Sequence, residues 1–321
     1  MPTKWTSKNI PSQRNRTIVV TGTGGLGFED ALALARAGGR VIIAGRNPAR
    51  GAEAIARIKE RVPNAAVTFE AVDLGDLASI AACGERISAA HHSIDVLINN
   101  AGVMTPPRRQ ITADDFELQM GINYLGHFAL TAHLLPLLRL GQDPRVVTLS
   151  SVAARSGAIN FEDLQAEQGY KPMESYSQSK LACLMFAFEL QRRSDAAGWG
   201  VTSIAAHPGI SRTDLLHNAP GRRSIQSLTR SLLWFLFQPA EQGALPALFA
   251  ATSPDAQKGG YYGPDKLGET RGHPIDAKPP EQSLDTEVAT RLWNVSATLT
   301  GVEFGQQRRL PSIMRANAIE S

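Results

Sequence analysis

Thr17-Ile-Val-Val-Thr-Gly-Thr-Gly-Gly-Leu-Gly27 is the stretch on which the fold turns. Its first five residues are a short β-branched run, the composition of a buried strand, and a glycine cluster follows at once. Ala and Leu recur at helical spacing over residues 25–38, and Gly38-Gly39 stops that helix. Val41-Ile-Ile43 then starts a second strand. The alternation continues with a helix over 48–61, the strand Val67-Thr-Phe69 leading into Asp73-Leu74, a helix over 76–90, and the strand Asp95-Val-Leu-Ile-Asn99. Strands separated by helical crossovers can pair only in parallel, so the chain is expected to build a doubly wound, parallel α/β sheet.

The second half continues the rhythm less regularly. A helix over 112–140 precedes the strand Arg145-Val-Val-Thr-Leu149, and a helix over 174–197 precedes Val201-Thr-Ser-Ile204. Leu181, Leu184, Met185 and Phe188 mark the core-facing stripe of the latter helix. Beyond residue 210 the sequence predicts an apolar helical segment to 237, a helix at 240–252, an irregular Gly/Pro-rich stretch over 259–280 and an amphipathic helix over 285–297. No linker divides the chain. It reads as an N-terminal arm (1–15), a single domain over 16–304 with a C-terminal elaboration, and a frayed tail over 305–321.

Composition narrows the functional classes. Of 321 residues, 43% are hydrophobic and 20% charged, too apolar and too weakly charged for a disordered chain. Thirty-three basic and thirty acidic residues leave a net charge of +3 spread along the chain, which argues against nucleic acid as a partner. Cys83 and Cys183 have no partner spacing for a disulfide framework or a zinc site, so no metal is expected. The first sixteen residues lack the apolar core of a signal peptide, and Ser231-Leu-Leu-Trp-Phe-Leu-Phe237 is far short of the ~18 residues needed to span a bilayer. A soluble, cytoplasmic protein without a transmembrane segment is the expectation.

Four groups of residues could carry chemistry. The glycines after the first strand let backbone N–H groups approach a pyrophosphate, at a helix N-terminus that favours negative charge. The second strand ends in Ala44-Gly45-Arg46-Asn47, with no acid before Glu53. A guanidinium there suits a 2′-phosphate, whereas a ribose 2′-hydroxyl asks for a carboxylate, so Arg46 points to NADP over NAD. Tyr176 and Lys180, four apart on a helix, share one face. An ammonium beside a phenol favours the phenolate, which suits a tyrosine to proton transfer. Ser150-Ser151 end a strand where an α/β sheet puts its ligand crevice.

Together these residues resemble the short-chain dehydrogenase/reductase family over about 16–304. The matching motifs are the glycine loop at 21–27, Asp73-Leu74, Asn99-Asn-Ala-Gly102, Asn123, Ser150-Ser151, Tyr176-Ser-Gln-Ser-Lys180, and Pro208-Gly209 with Thr213. Asn123-Tyr-Leu-Gly-His-Phe128, His207-Pro-Gly209 and Arg291-Leu-Trp-Asn-Val-Ser296 resemble its retinol-dehydrogenase-like branch, of bacterial type. The resemblance implies a Rossmann fold and an NADP-dependent oxidoreductase that interconverts a carbonyl and an alcohol on an apolar small molecule. Tyr176 would be the general acid/base. Lys180 would support it and hold the nicotinamide ribose, and Ser151, twenty-five residues before the tyrosine, would bind the reacting oxygen. Asn123 would sit at a helix distortion and hold a relay water. Gly22, Gly25, Leu26, Gly27, Arg46, Asp73, Leu74, Asn99, Pro208 and Thr213 would bind the cofactor, with Asp73 at the adenine, Asn99 at the adenosine ribose and Thr213 at the carboxamide.

One departure concerns the glycine loop. Gly22 and Gly25 enclose two residues where the family has three, which implies weaker pyrophosphate binding. Two alternatives stand beside the main reading: reduction of an activated C=C bond with the same cofactor and tyrosine, or a non-catalytic NADP-binding sensor or scaffold. The resemblance also implies a lid over 211–238, and a homodimer or homotetramer built through the helices near 112–140 and 174–197. The apolar residues of 224–237 suit a greasy substrate, a membrane or subunit contact, or plain burial against the body.

Overall fold

The computed structural model describes residues 4–211 and 238–305. The aliphatic runs form β1 (Thr17–Thr21), β2 (Arg40–Gly45), β3 (Val67–Ala71), β4 (Val96–Asn99), β5 (Arg145–Leu149) and β6 (Thr202–Ala206). β1, β4, β5 and β6 are buried along their whole length, as strands covered on both faces must be. The eight-stranded sheet has the order β3-β2-β1-β4-β5-β6-β7-β8. β7 (Tyr261–Lys266) extends it in parallel from β6, and β8 (Arg271–Asp276) closes the edge antiparallel to β7. Strand order reverses between β1 and β4, so the carboxyl ends of these strands diverge and leave a crevice.

Helices cover both faces. α1 (Gly25–Arg36), α2 (Pro48–Arg61) and α7 (Leu245–Thr252), the last preceded by the one-turn α6 (Ala240–Gly243), pack one side through Leu32, Ile58 and Leu248. α3 (Leu77–Ala90), α4 (Gly126–Leu138), α5 (Pro172–Ala197) and α8 (Thr286–Thr300) pack the other. Asn47, Asp76 and Asp285 cap α2, α3 and α8, each accepting two backbone N–H groups of the first turn. α8 lies across α4 and α5: Trp293 stacks on Phe186 at 5.7 Å and meets Phe128 edge-on at 5.0 Å between ring centroids. Among the described residues no helix is long and apolar enough to cross a membrane.

Two expectations change. The helix expected from 112 begins only at Leu118. Thr112 Oγ1 accepts from the amides of Asp114 and Phe116, and Asp115 adopts a left-handed φ of 63°. That local turn outcompetes the helix. The stretch 259–280 is the β7–β8 hairpin, although Pro264 and Pro274 face each other across it; an edge pair tolerates proline where a central strand does not. The N-terminal arm packs on the body, with Trp5 edge-on to Phe249 at 5.4 Å and its carbonyl 3.1 Å from His273 Nδ1. The helical segment expected to 237, nearly all of the lid, and the tail beyond 305 lie outside the described residues.

One buried charge site runs against the packing rules. Asp30 of α1 is 0% exposed, and neither carboxyl oxygen has a hydrogen-bond partner among the described residues. Burial, reinforced by Glu29, raises its pKa well above the usual carboxylate range, so the folded chain keeps the proton. The unfolded chain releases it near pH ~4, and folding is therefore expected to weaken as pH rises from there towards the folded-state pKa. Asp30→Asn should remove that slope. In urea titrations from pH 4 to 8, the variant's stability relative to the parent should grow with pH, and a constant difference would contradict it.

Candidate functional site

The carboxyl ends of β1, β4, β5 and β6 open into a cavity of about 620 Å³, within the range of small-molecule sites. Its floor depends on Thr21, the last residue of β1. The buried Thr21 hydroxyl accepts from the amides of Asn100 at 2.9 Å and Ala101 at 3.0 Å, while the Asn100 side chain donates back to the Thr21 carbonyl at 2.7 Å. His127 of α4 completes the junction. Its Nδ1 lies 2.9 Å from the Asn123 carbonyl, which can only accept, so Nδ1 carries the hydrogen and Nε2 accepts from Thr21 Oγ1 at 2.9 Å. Burial pushes the His127 pKa down to about 4, which keeps the ring neutral as that arrangement requires.

The glycine loop forms the next wall. Gly22, Gly25 and Leu26 line the cavity, with Gly22 at φ 102°, a conformation that a side chain would strain. Gly27 lies behind them, where an added Cβ would come within 2.6 Å of Asn100 Nδ2 and 2.8 Å of the Gly22 carbonyl. α1 starts at Gly25 behind Gly24, which offers no side-chain cap, unlike the capped α2, α3 and α8. Its first N–H groups are thus left for an anion in the cavity. This uncapped helix end fits a pyrophosphate despite the shortened loop.

Ser151, Tyr176 and Lys180 line the same cavity. Ser150 and Ser151 have separate tasks: the Ser150 hydroxyl is buried and donates to the Lys180 carbonyl at 2.7 Å, whereas Ser151 begins a short turn, Val152–Ser156, by accepting from the Ala153 amide at 3.2 Å. Lys180 Nζ donates to the Leu149 carbonyl at 3.0 Å, which fixes the ammonium at the end of β5. Asn123 does sit at a distortion, the π-helical turn Met120–Leu125. Its amide clamps both backbone groups of Val103 at 2.7 and 3.0 Å, and its carbonyl accepts from His127 and from Cys183 at 3.1 Å. The Asn123 side chain thus ties the loop after β4 to the distorted helix.

Several other expected residues stand apart from the cavity. Asn99 turns its amide away, donating to Thr131 Oγ1 at 3.0 Å inside the fold, so the wall is formed by Asn100, Ala101 and Gly102 instead. Arg46, with 75% of its side chain exposed, lies 3.8 Å from Asp73, and Asp73 also caps the Gly75 amide. Leu74 is buried in the core. Pro208 lines the cavity, and Thr213 lies outside the described residues. Sequence reasoning missed Arg50, which lines the cavity from the first turn of α2, and the apolar wall of Met104, Val152, Ala153, Met173 and Ile210. Arg50, four residues after Arg46, was legible as a second cation; the apolar wall comes from separate loops and carries no pattern. Among the described residues no group of three metal-ligating side chains is assembled.

A family profile described as short chain dehydrogenase matches residues 16–223. The chain is 37% identical over 302 residues to polyprenol dehydrogenase of Mus musculus, covering 92% of this chain and 87% of that protein. It is 38% identical over 306 residues to retinol dehydrogenase 12 of Mus musculus, covering 93% and 90%. The crystal structure of an uncharacterized protein from Mycobacterium paratuberculosis matches with TM-score 0.78 and 38% identity, covering 95% of this chain and 100% of that one. A short chain dehydrogenase from Shigella flexneri complexed with NADP shares the fold at TM-score 0.62 and 22% identity, over 79% and 98% of the two chains.

The Thr21 junction has a direct test. Thr21→Val keeps the shape but strands two amide hydrogens and the His127 acceptor, which should cost about 2–4 kcal/mol of unfolding free energy. Thr21→Ser should stay within about 1 kcal/mol of the parent. Chemical denaturation measures both, and equal losses would show that the hydroxyl does not hold the floor.

Proposed function

The chain belongs to the short-chain dehydrogenase family, and from that premise we propose that it interconverts a carbonyl and an alcohol on an apolar small molecule, with NADP(H) as hydride carrier and Tyr176 as general acid/base. The observation that carries this reading is that one cavity is lined both by the glycine loop at the uncapped N-terminus of α1 and by Ser151, Tyr176 and Lys180. When bound, the nicotinamide supplies or removes the hydride. The remaining tasks fall to this chain's own side chains.

The Ser151 hydroxyl donates to the reacting oxygen and offsets the negative charge that grows there. Tyr176 delivers the phenolic proton to that oxygen during reduction and takes it back during oxidation. Lys180, one helical turn after Tyr176 and tethered to the Leu149 carbonyl, is the cation that supports this proton transfer. Asn123 holds Val103, and with it the loop between the cofactor and substrate ends of the cavity. Arg46, with Arg50 four residues on, supplies guanidinium charge for a 2′-phosphate. The apolar side of the cavity, from Met104 through Met173 to Ile210, suits a long hydrocarbon alcohol or aldehyde, in keeping with relatives named for polyprenol and retinol.

Assembly is read from α8. The face formed by α4 and α5 is covered by Trp293 and by Phe304, whose ring lies 4.9 Å from that of Phe128. Pairing through those two helices would require displacing this chain's own aromatic cluster, so a monomer in solution is part of the proposal, and light scattering showing a dimer would oppose it.

Two substitutions test the chemistry. Tyr176→Phe should lower reductase turnover by about 10²–10⁴-fold while NADPH affinity stays near that of the parent. Arg46→Ala should erase about tenfold or more of the preference for NADPH over NADH, the magnitude of a lost charge-assisted hydrogen bond. Fluorescence titration with both cofactors and initial-rate measurements with a long-chain aldehyde provide the readouts. Full turnover by Tyr176→Phe would remove the tyrosine from the mechanism.

A further inference from the structure

The tip of the β7–β8 hairpin reaches the cavity wall at His207-Pro208-Gly209. Its turn, Leu267 to Thr270, carries three consecutive residues at positive φ, the last of them Glu269 at 66°. Glu269 Oε2 lies 3.0 Å from Nε2 of the fully buried His207 and accepts from Arg155 Nη2 at 2.7 Å. Its other oxygen accepts from the Lys278 amide at 3.1 Å. These bonds, that from His207 foremost, hold the Glu269 pKa down at about 2, so the group is an anion throughout the working pH range.

A carboxylate can only accept, so His207 carries its hydrogen on Nε2 and leaves Nδ1 as an acceptor. That acceptor takes the Gly209 amide at 3.2 Å. Burial lowers the His207 pKa and keeps the ring neutral, which this pair of bonds demands. The loop is shaped to receive the hairpin. Gly209 adopts φ 65°, and a Cβ there would strike the Thr270 carbonyl at 2.3 Å; that carbonyl accepts the next amide, Ile210, at 2.8 Å. Arg155, the third member, belongs to the turn that follows Ser151. One carboxylate thus ties two walls of the cavity to the hairpin.

We infer that Glu269 is a positioning residue: by fixing the Nε2–H tautomer of His207 it presents Nδ1 to Gly209, holds the Pro208-Gly209 wall for the nicotinamide half of the cofactor, and anchors the turn after Ser151 through Arg155. The role rests on the cavity being an NADP(H) site, as proposed above. A hairpin staple of purely structural value would lower stability without acting selectively on Gly209.

The test compares the full-length parent with Glu269→Ala, His207→Asn and the double variant. It reads hydrogen exchange over residues 207–211 and NADPH affinity by fluorescence. An asparagine at 207 can accept the Gly209 amide on its own side chain, as an Asx turn, without help from Glu269. Glu269→Ala is expected to speed exchange at Gly209 and to weaken NADPH, each by about tenfold. The same replacement in the His207→Asn background should change either by less than about twofold. Glu269→Gln keeps an acceptor for His207 and should retain most of the protection, which guards against a variant that simply misfolds. Equal effects in the two backgrounds, unchanged exchange in Glu269→Ala, or faster exchange with unaltered NADPH affinity would each overturn the inference. A parent that binds no NADPH would overturn the cofactor reading itself, recognisable because exchange at Gly209 would still respond to Glu269→Ala.

Discussion

A single buried hydroxyl, that of Thr21, governs the geometry of the cavity. In a doubly wound sheet the chain leaves β1 and β4 in opposite directions, and the gap between them must be bridged without closing it. Thr21 does so by receiving two amides of the loop after β4 and giving its hydrogen to His127 on α4. His127 is buried and the two amides are partly buried, so removing the hydroxyl would leave all three without the partner that joins them. The neutral state of His127 belongs to the same constraint, because a doubly protonated ring could not accept from Thr21. Through its other nitrogen the histidine reaches the Asn123 carbonyl, so floor, helix distortion and the clamp on Val103 form one connected unit.

The walls combine rigid elements and short loops: α5 carries Tyr176 and Lys180, and the turn after β5 carries Ser151. α1 arrives at the cavity without a side-chain cap, whereas α2, α3 and α8 are closed by Asn47, Asp76 and Asp285. Lys180 is held by a strand-end carbonyl, and Ser150 is spent on the Lys180 backbone, which leaves Ser151 for the cavity. The C-terminal elaboration reinforces the opposite side. α8 seals α4 and α5 with Trp293, and the β7–β8 hairpin grips the loop after β6.

Much of this was legible from residue order. The boundaries of α2 coincide with those expected, because Asn47-Pro48 supplies both a cap and a favoured first residue, and such signals are local. Thr17–Thr21 and Arg145–Leu149 were equally clear as continuous apolar runs. What escaped depends on distant partners. Tyr261-Tyr-Gly-Pro-Asp-Lys266 and Arg271-Gly-His-Pro-Ile-Asp276 show no alternation, and they are strands because β6 and the His207–Ile210 loop offer them hydrogen bonds. At Thr112 a side-chain turn prevailed over helical spacing, a competition that periodicity does not register. Within the site the motif residues Ser151, Tyr176 and Lys180 converge on one cavity, whereas Asn99 turns inward and its neighbour Asn100 takes the wall. Adjacent residues on a strand end point to opposite sides, so a motif alone could not decide between them.

Isotope transfer examines the central claim most directly. The full chain is incubated with NADPH carrying deuterium at both C4 positions of the nicotinamide ring and an α,β-unsaturated long-chain aldehyde, and the product is analysed by mass spectrometry and NMR. The account predicts one deuterium on the former carbonyl carbon of an allylic alcohol, with the double bond intact. Deuterium on the β-carbon of a saturated aldehyde would reassign the reaction to C=C reduction. Tight NADPH binding with no transfer to any such acceptor would contradict catalysis altogether.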